Sequence, residues 1–249
     1  RPPFRGWPDL CPSPSATATA KFTQRPERSA RRGRSARPGE QIDPAGAAAP
    51  RNPPSNSVRQ TRPDPPVKPF SLLVKPASAD CNLRCDYCFY LDRDSLYPET
   101  RVHRMSDEVL ERIIRTFMAV PQPEYSIGWQ GGEPSLMGLD FFKQVVQYQQ
   151  KYGRAGASVG NGLQTNGTLI DDDFARFLAQ YNFLVGLSID GPAEVHDRFR
   201  VYADGRGSHA RIMETVERLK RHQTQYNVLT LVSQSNIDRP RETYRYLCD

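Results

Sequence analysis

From about residue 67 onward, short apolar runs alternate with amphipathic stretches, and this alternation restricts the fold more than any other feature. Strands are predicted over residues 70–75, 125–130, 158–165, 183–189 and 228–232, the third interrupted by Gly160 and Gly162. Helices are predicted over 107–119, 139–152, 172–180 and 209–222, and Pro240 suits the first turn of a fifth. In the first helix Val109, Leu110, Ile113, Ile114, Phe117 and Met118 recur at helical spacing; Ser106 is its expected N-cap and Pro121 its stop. Strict alternation implies parallel strands joined by right-handed crossovers. Five such units without closure predict an α/β fold, a partial barrel, with its chemistry at the carboxyl ends of the strands. The reactive residues fall where that expectation puts them. Three cysteines follow strand one and Gly131-Gly132-Glu133-Pro134 follows strand two. Thr165-Asn166-Gly167 follows strand three and Asp190-Gly191-Pro192 strand four.

Residues 1–66 are different in kind. They hold 14 of the 22 prolines and carry 12 basic against 5 acidic residues, a net of +7, whereas residues 67–249 carry a net of −1. The basic character therefore belongs to a proline- and arginine-rich tail with few large apolar residues, predicted to be disordered. The near-neutral remainder argues against nucleic-acid binding by the globular part. No apolar run is long enough to cross a membrane, and no signal-peptide core is present.

Three of the five cysteines lie within eight residues, Cys81-Asn-Leu-Arg-Cys85-Asp-Tyr-Cys88. That clustering is unlike a disulfide framework and points to a metal in a reducing compartment, hence the cytoplasm. Three thiolates on one loop can hold an iron–sulfur cubane and leave one iron open, as a catalytic metal keeps an open position. The alternatives are a structural zinc site, with His103 as a fourth ligand, and buried unligated cysteines.

The C-x3-C-x2-C spacing, with Tyr87 before the last cysteine, resembles the signature of the radical S-adenosylmethionine superfamily. Further segments resemble the anaerobic sulfatase-maturating enzymes, which carry a C-terminal cysteine-rich SPASM extension. They are Cys88-Phe-Tyr90-Leu, Trp129-Gln130-Gly131-Gly132-Glu133-Pro134, Gln164-Thr-Asn-Gly-Thr-Leu169, Ser188-Ile-Asp190-Gly-Pro192 and His196-Asp-Arg-Phe-Arg200. The resemblance implies a radical SAM partial barrel over 67–249, of the (β/α)6 type. It implies a [4Fe-4S] cluster on Cys81, Cys85 and Cys88, and S-adenosylmethionine on its open iron. Gly131, Gly132 and Glu133 would hold the cofactor's amino group, and Ser188 and Arg200 its carboxylate, with Arg198 as the competing arginine. Tyr90, Gln130 and Gln164 would line the cofactor site.

By the same resemblance the cluster delivers an electron that cleaves S-adenosylmethionine to a 5′-deoxyadenosyl radical. The radical oxidises a Cys or Ser of an unfolded sulfatase segment to Cα-formylglycine. A reduced flavodoxin- or ferredoxin-type protein supplies electrons. The chain stops at Asp249, after about five units, before the sixth strand, the auxiliary-cluster cysteines and the proposed base. The expectation is that it binds the first cluster weakly and is inactive, or only uncouples cofactor cleavage. Two other readings predict different outcomes: a SPASM-type peptide modifier forming thioether or carbon–carbon links, and a zinc- or nucleic-acid-binding protein acting through its basic tail.

Overall fold

The computed structural model describes residues 68–91, 93–96, 99–100 and 102–248. The predicted tail, 1–66, lies outside the described residues. Among the described residues five strands form one parallel sheet in the order β1-β2-β3-β4-β5. They are β1 (Leu72–Val74), β2 (Glu124–Trp129), β3 (Ser158–Thr165), β4 (Leu184–Ser188) and β5 (Tyr226–Leu229). The helices are α1 (Asp107–Ala119), α2 (Gly138–Tyr152), α3 (Asp172–Gln180), the single turn α4 (Ala193–His196), α5 (His209–Arg221) and α6 (Pro240–Cys248). Short 3-10 turns lie at Arg93–Leu96 and Pro134–Met137.

Strands that neighbour in space as they do in sequence are joined by crossovers that all step the same way, so the helices collect on one face. The core shows this. Tyr125, Ile127 and Trp129 of β2, Leu163 of β3, and Val185 and Leu187 of β4 are fully buried. Against them pack Leu110 and Ile114 of α1, Phe142 and Val145 of α2, Leu178 of α3, and Ile212 and Leu219 of α5. Phe142 is the centre of this layer, with its ring 5.4 Å from Phe174 and 6.1 Å from both Trp129 and Phe183. Because side chains alternate along a strand, the opposite face carries Gly128, Gly160, Gly162, Gly186, Gln164 and Ser188. One face is thus an apolar core, and the other is open along its glycines and polar residues and also carries the exposed Leu73, Leu184 and Leu229, the arrangement of an incomplete barrel.

Gly160 and Gly162, which interrupt the third predicted strand in sequence, sit inside an unbroken ladder of pairs with β2. A core amide compensates there. Asn161 and Gln149 exchange amide hydrogen bonds at 2.9 Å, and Trp129 Nε1 donates to Asn161 Oδ1 at 3.0 Å. Ser106 caps α1 as expected, accepting from Val109 N. The fifth strand differs: it pairs Tyr226–Leu229 with Val185–Ser188, not residues 228–232. Past Leu229 the chain is drawn off the sheet onto the loop after β4. Thr230 Oγ1 donates to Ile189 O at 2.7 Å, and Leu231 N to Asp190 Oδ1 at 3.0 Å.

That loop is pinned by His196, which is fully buried. Asp190 N donates to His196 Nδ1 at 3.2 Å, which fixes the tautomer. Nε2–H is then left to face Ser208 Oγ at 3.1 Å, and Ser208 donates to Arg200 O at 2.8 Å. Burial, reinforced by the Arg200 charge, brings the imidazole down from 6.5 to about 4.

Two predictions follow from this packing. Phe142→Ala should lower stability by about 3–5 kcal/mol, while Leu73→Ala, at a residue 62% exposed, should stay within about 0.5 kcal/mol. Equal urea midpoints for the two variants would contradict the placement of the core. The second concerns His196. Between about pH 6.5 and 4 the unfolded chain binds a proton at this position and the folded chain does not. Its contribution is therefore fully present above pH 6.5 and is lost as the pH falls through about 4. The stability difference between wild type and His196→Gln is expected to shrink by about 2–3 kcal/mol from pH 7 to pH 4. A difference that does not change with pH would mean the histidine is not held neutral.

Candidate active site

The loop after β1 carries the three thiols and is held at both ends. Asp80 accepts from His103 N and His103 Nδ1, both at 2.8 Å, and from Arg104 Nη1 at 2.5 Å, closing the loop's exit onto its entry. Burial alone would raise the Asp80 carboxyl, but these donors hold it below its ordinary value. The middle of the loop is strapped to the segment after α4. Arg84 N donates to Val201 O at 2.7 Å, and Leu83 bridges Tyr202 in antiparallel fashion. Within the motif, Cys88 N donates to Cys85 O at 2.9 Å.

Cys81, Cys85 and Cys88 are free thiols and all line one cavity of about 240 Å³. The same cavity is lined by Tyr90, by Gln130, Gly131 and Gly132 after β2, by Gln164 near the end of β3, by Ser188 at the end of β4, and by Arg200. His103, the alternative fourth ligand, is not among its lining residues. Desolvation pushes the Cys81 thiol up to about 11 and the Cys85 thiol up to about 12, the latter against the pull of Arg200. A metal bound at these sulfurs would therefore displace protons.

Glu133 is placed differently from the other motif residues. It is fully buried and does not line the cavity. Its Oε1 accepts from Ser135 N (2.9 Å), Ser135 Oγ (2.6 Å) and Thr165 Oγ1 (2.7 Å), and its Oε2 accepts from Asn166 N (2.6 Å). Burial raises its pKa, and the four donors oppose that shift. The side chain is thus a bracket between the loops after β2 and β3. The glycines before it serve close packing: Gly132 N donates to Ser78 O at 2.9 Å and Glu133 N to Asp80 O at 2.7 Å. At Gly131, where φ is +134°, a Cβ would sit 2.7 Å from Ser78 O. These glycines press one loop's backbone against the cysteine loop.

Arg200 and Ser188 are held by neighbours on other loops. Arg200 Nε donates to Asp190 Oδ2 at 2.9 Å, and Tyr87 OH donates to the same oxygen. Burial and Asp190 push the Tyr87 hydroxyl well above its ordinary value, so it remains a donor. Arg200 also lies over the Tyr87 ring, 5.5 Å from its centroid. Ser188 Oγ accepts from Gln164 Nε2 at 3.2 Å. Gly186, between these two side chains, leaves the space into which the Gln164 amide extends. Arg198, the competing arginine, is exposed, lies over the Phe199 ring at 5.3 Å and does not line the cavity. Tyr87, Asp190 and Asn166 stand in the motifs, but spacing alone assigns them no contact. The one signal in the sequence is their position directly after strands or between cysteines.

A profile of the Radical SAM superfamily matches residues 76–247. The serine-type anaerobic sulfatase-maturating enzyme of Bacteroides thetaiotaomicron is 39% identical over 183 residues, covering 73% of this chain and 44% of the relative. The cysteine-type enzyme of Clostridium novyi is 37% identical over 180 residues, 72% of this chain and 48% of the relative. The solved structure described as "Native anSMEcpe with bound AdoMet" superposes with a TM-score of 0.66 at 39% identity, covering 72% of this chain and 48% of the other. The chain thus spans about half the length of the curated relatives it matches. It belongs to the radical S-adenosylmethionine superfamily, whose members use a [4Fe-4S] cluster and S-adenosylmethionine, and within that superfamily it is a relative of the anaerobic sulfatase-maturating enzymes.

Proposed function

We propose that the protein this chain represents cleaves S-adenosylmethionine reductively and oxidises a Cys or Ser side chain of an unfolded sulfatase segment to Cα-formylglycine, this chain by itself cleaving the cofactor uncoupled from substrate. The observation that carries the first part is the shared cavity. Three thiols on one wall meet Gln130, Gln164, Ser188 and Arg200 across a space of about 240 Å³. Three soft sulfur donors suit iron, and a three-ligand set leaves one metal position without a protein ligand. The second part rests on the relatives, which are named serine-type and cysteine-type sulfatase-maturating enzymes, and on a related structure described as holding a Kp18Cys peptide beside AdoMet.

In this reading Cys81, Cys85 and Cys88 hold the cluster. When bound, the cluster and S-adenosylmethionine supply one-electron cleavage of a sulfonium carbon–sulfur bond and, from it, hydrogen abstraction from the substrate. The protein's own part is positioning. Arg200 has its Nε committed to Asp190, so its Nη atoms are the donors offered to the cofactor carboxylate. Ser188, whose oxygen accepts from Gln164, keeps its own proton to donate to the same carboxylate. The backbone carbonyls of Gly131 and Gly132 receive the amino group, since the Glu133 carboxylate is taken up by Ser135, Thr165 and Asn166. Tyr90, Gln130 and Gln164 complete the walls. Residues 67–249 act as the radical SAM partial barrel. A reduced flavodoxin- or ferredoxin-type carrier in the cytoplasm provides the electron. Among the described residues no helix is long and apolar enough to cross a membrane.

The test is anaerobic reconstitution with iron and sulfide, then dithionite and S-adenosylmethionine, with 5′-deoxyadenosine read by mass spectrometry. Wild type should form it and Cys85→Ala should not. Arg200→Lys should raise the KM for S-adenosylmethionine about tenfold or more, the worth of a charged hydrogen bond of roughly 1.5–3 kcal/mol. Iron uptake by wild type without any cleavage would refute the first part. With the protein this chain represents, an added sulfatase peptide that gains an aldehyde supports the second part, and one that gains a thioether or carbon–carbon link would replace it.

A further inference from the structure

Asn166 lies just past β3, is buried, and has a side chain with no freedom to turn. Its Oδ1 accepts from Thr168 N at 3.0 Å and from Thr168 Oγ1 at 2.8 Å. Its Nδ2 donates to Asn82 Oδ1 at 2.9 Å, and Asn82 Nδ2 returns to Thr168 Oγ1 at 2.8 Å. Asn166, Asn82 and Thr168 therefore close a ring in which each donor meets an acceptor. Reversing the Asn166 amide would set its NH2 against the Thr168 N–H, so its oxygen and nitrogen are fixed by the network. Its main chain is fixed as well, through Asn166 N on Glu133 Oε2.

The ring uses one of the two Nδ2 hydrogens. The other points at Cys81 Sγ, 3.6 Å away. Leu83 N donates to the same sulfur at 3.4 Å. Among the described residues, Asn166 is the one side chain that donates to a motif thiol. An N–H donor directed at a cluster sulfur stabilises the reduced cluster more than the oxidised one, because reduction adds negative charge that the sulfur ligands share.

We propose that Asn166 is a positioning residue that raises the reduction potential of the cluster through this N–H···S bond, with Asn82 and Thr168 fixing its aim. The inference rests on the cluster reading above and adds to it a residue that tunes how readily the cluster accepts its electron. Asn166 also lines the cavity assigned to S-adenosylmethionine, so the potential is read without that cofactor, where a contact to it cannot contribute.

The experiment is an EPR-monitored redox titration of the reconstituted chain without S-adenosylmethionine, together with iron and sulfide content. The proteins are wild type, Asn166→Ala, Thr168→Val and Thr168→Ser. In Asn166→Ala the midpoint should fall by about 59 mV, the one-electron equivalent of a tenfold lower ratio of reduced to oxidised cluster at fixed potential. Thr168→Val keeps the backbone N–H on Asn166 Oδ1 but removes the hydroxyl that Asn166 and Asn82 share, so it loosens the ring and should shift the midpoint in the same direction by less. Thr168→Ser keeps the hydroxyl and should restore the wild-type midpoint. A loaded Asn166→Ala with an unchanged or higher midpoint would overturn the proposal while leaving the cluster assignment intact. Should Asn166→Ala fail to hold iron, the Thr168 pair decides, and equal midpoints for Val and Ser would overturn it. A wild type that takes up no iron and sulfide overturns the cluster reading and this inference with it.

Discussion

The Glu133 carboxylate joins the loops that form the cavity. It accepts from both the backbone and hydroxyl of Ser135, from Thr165 Oγ1 and from Asn166 N, while Glu133 N donates to Asp80 O in the cysteine loop. One buried residue thus fixes the ends of β2 and β3 and the entry to the loop that carries the thiols. A buried carboxylate is costly unless its oxygens are satisfied, and with four donors these are. The arrangement is also directional. By holding Asn166 N, it sets where the Asn166 side chain begins, and that side chain ends on Cys81 Sγ.

The sheet supplies the floor for this assembly. With strands in sequential order, the helices cover one face, and the other carries Gly128, Gly160, Gly162, Gly186, Gln164 and Ser188 beside the exposed Leu73, Leu184 and Leu229. A continuous apolar inner face would need a second layer to cover it. Short and polar residues instead leave room at the carboxyl ends, where Gln164 reaches across Gly186 to Ser188. The glycines that weaken the third strand by propensity are therefore the residues that keep its inner side open. The strand is stabilised from its other side, by the Asn161–Gln149–Trp129 amide group in the core.

Much of this is legible in the sequence, and the reasons can be given residue by residue. The β-α order, the Ser106 cap and the bounds of β3 and α3 follow from local periodicity and capping, which are properties of neighbouring residues. Tyr90, Gln130, Gly131, Gly132, Gln164, Ser188, Arg200 and the three cysteines line one cavity because each lies at or just beyond the end of a strand or on a loop packed there. What was not legible depends on distant partners. Glu133 sits in an apparent cofactor motif, yet its partners Thr165 and Asn166 lie 32 and 33 positions away and take up its oxygens. The fifth strand ends early because Asp190, from the previous loop, takes Leu231 N, a competition that no window of apolar residues reveals.

Asp190 also shapes how the site would meet an anion. Its Oδ2 receives both Arg200 Nε and the Tyr87 hydroxyl, and its Oδ1 receives Leu231 N. Arg200 is therefore already partly neutralised and held in one orientation before any ligand enters. Such a guanidinium offers less raw attraction than a free one, but it loses little side-chain entropy on binding and presents its Nη edge at a fixed angle. Because Tyr87 stands between Cys85 and Cys88, the same carboxylate oxygen links that angle to the cysteine loop. A carboxylate docked on Arg200 and a metal docked on the thiols would then be positioned by one shared anchor, so the distance between them would be set by the protein before either is bound.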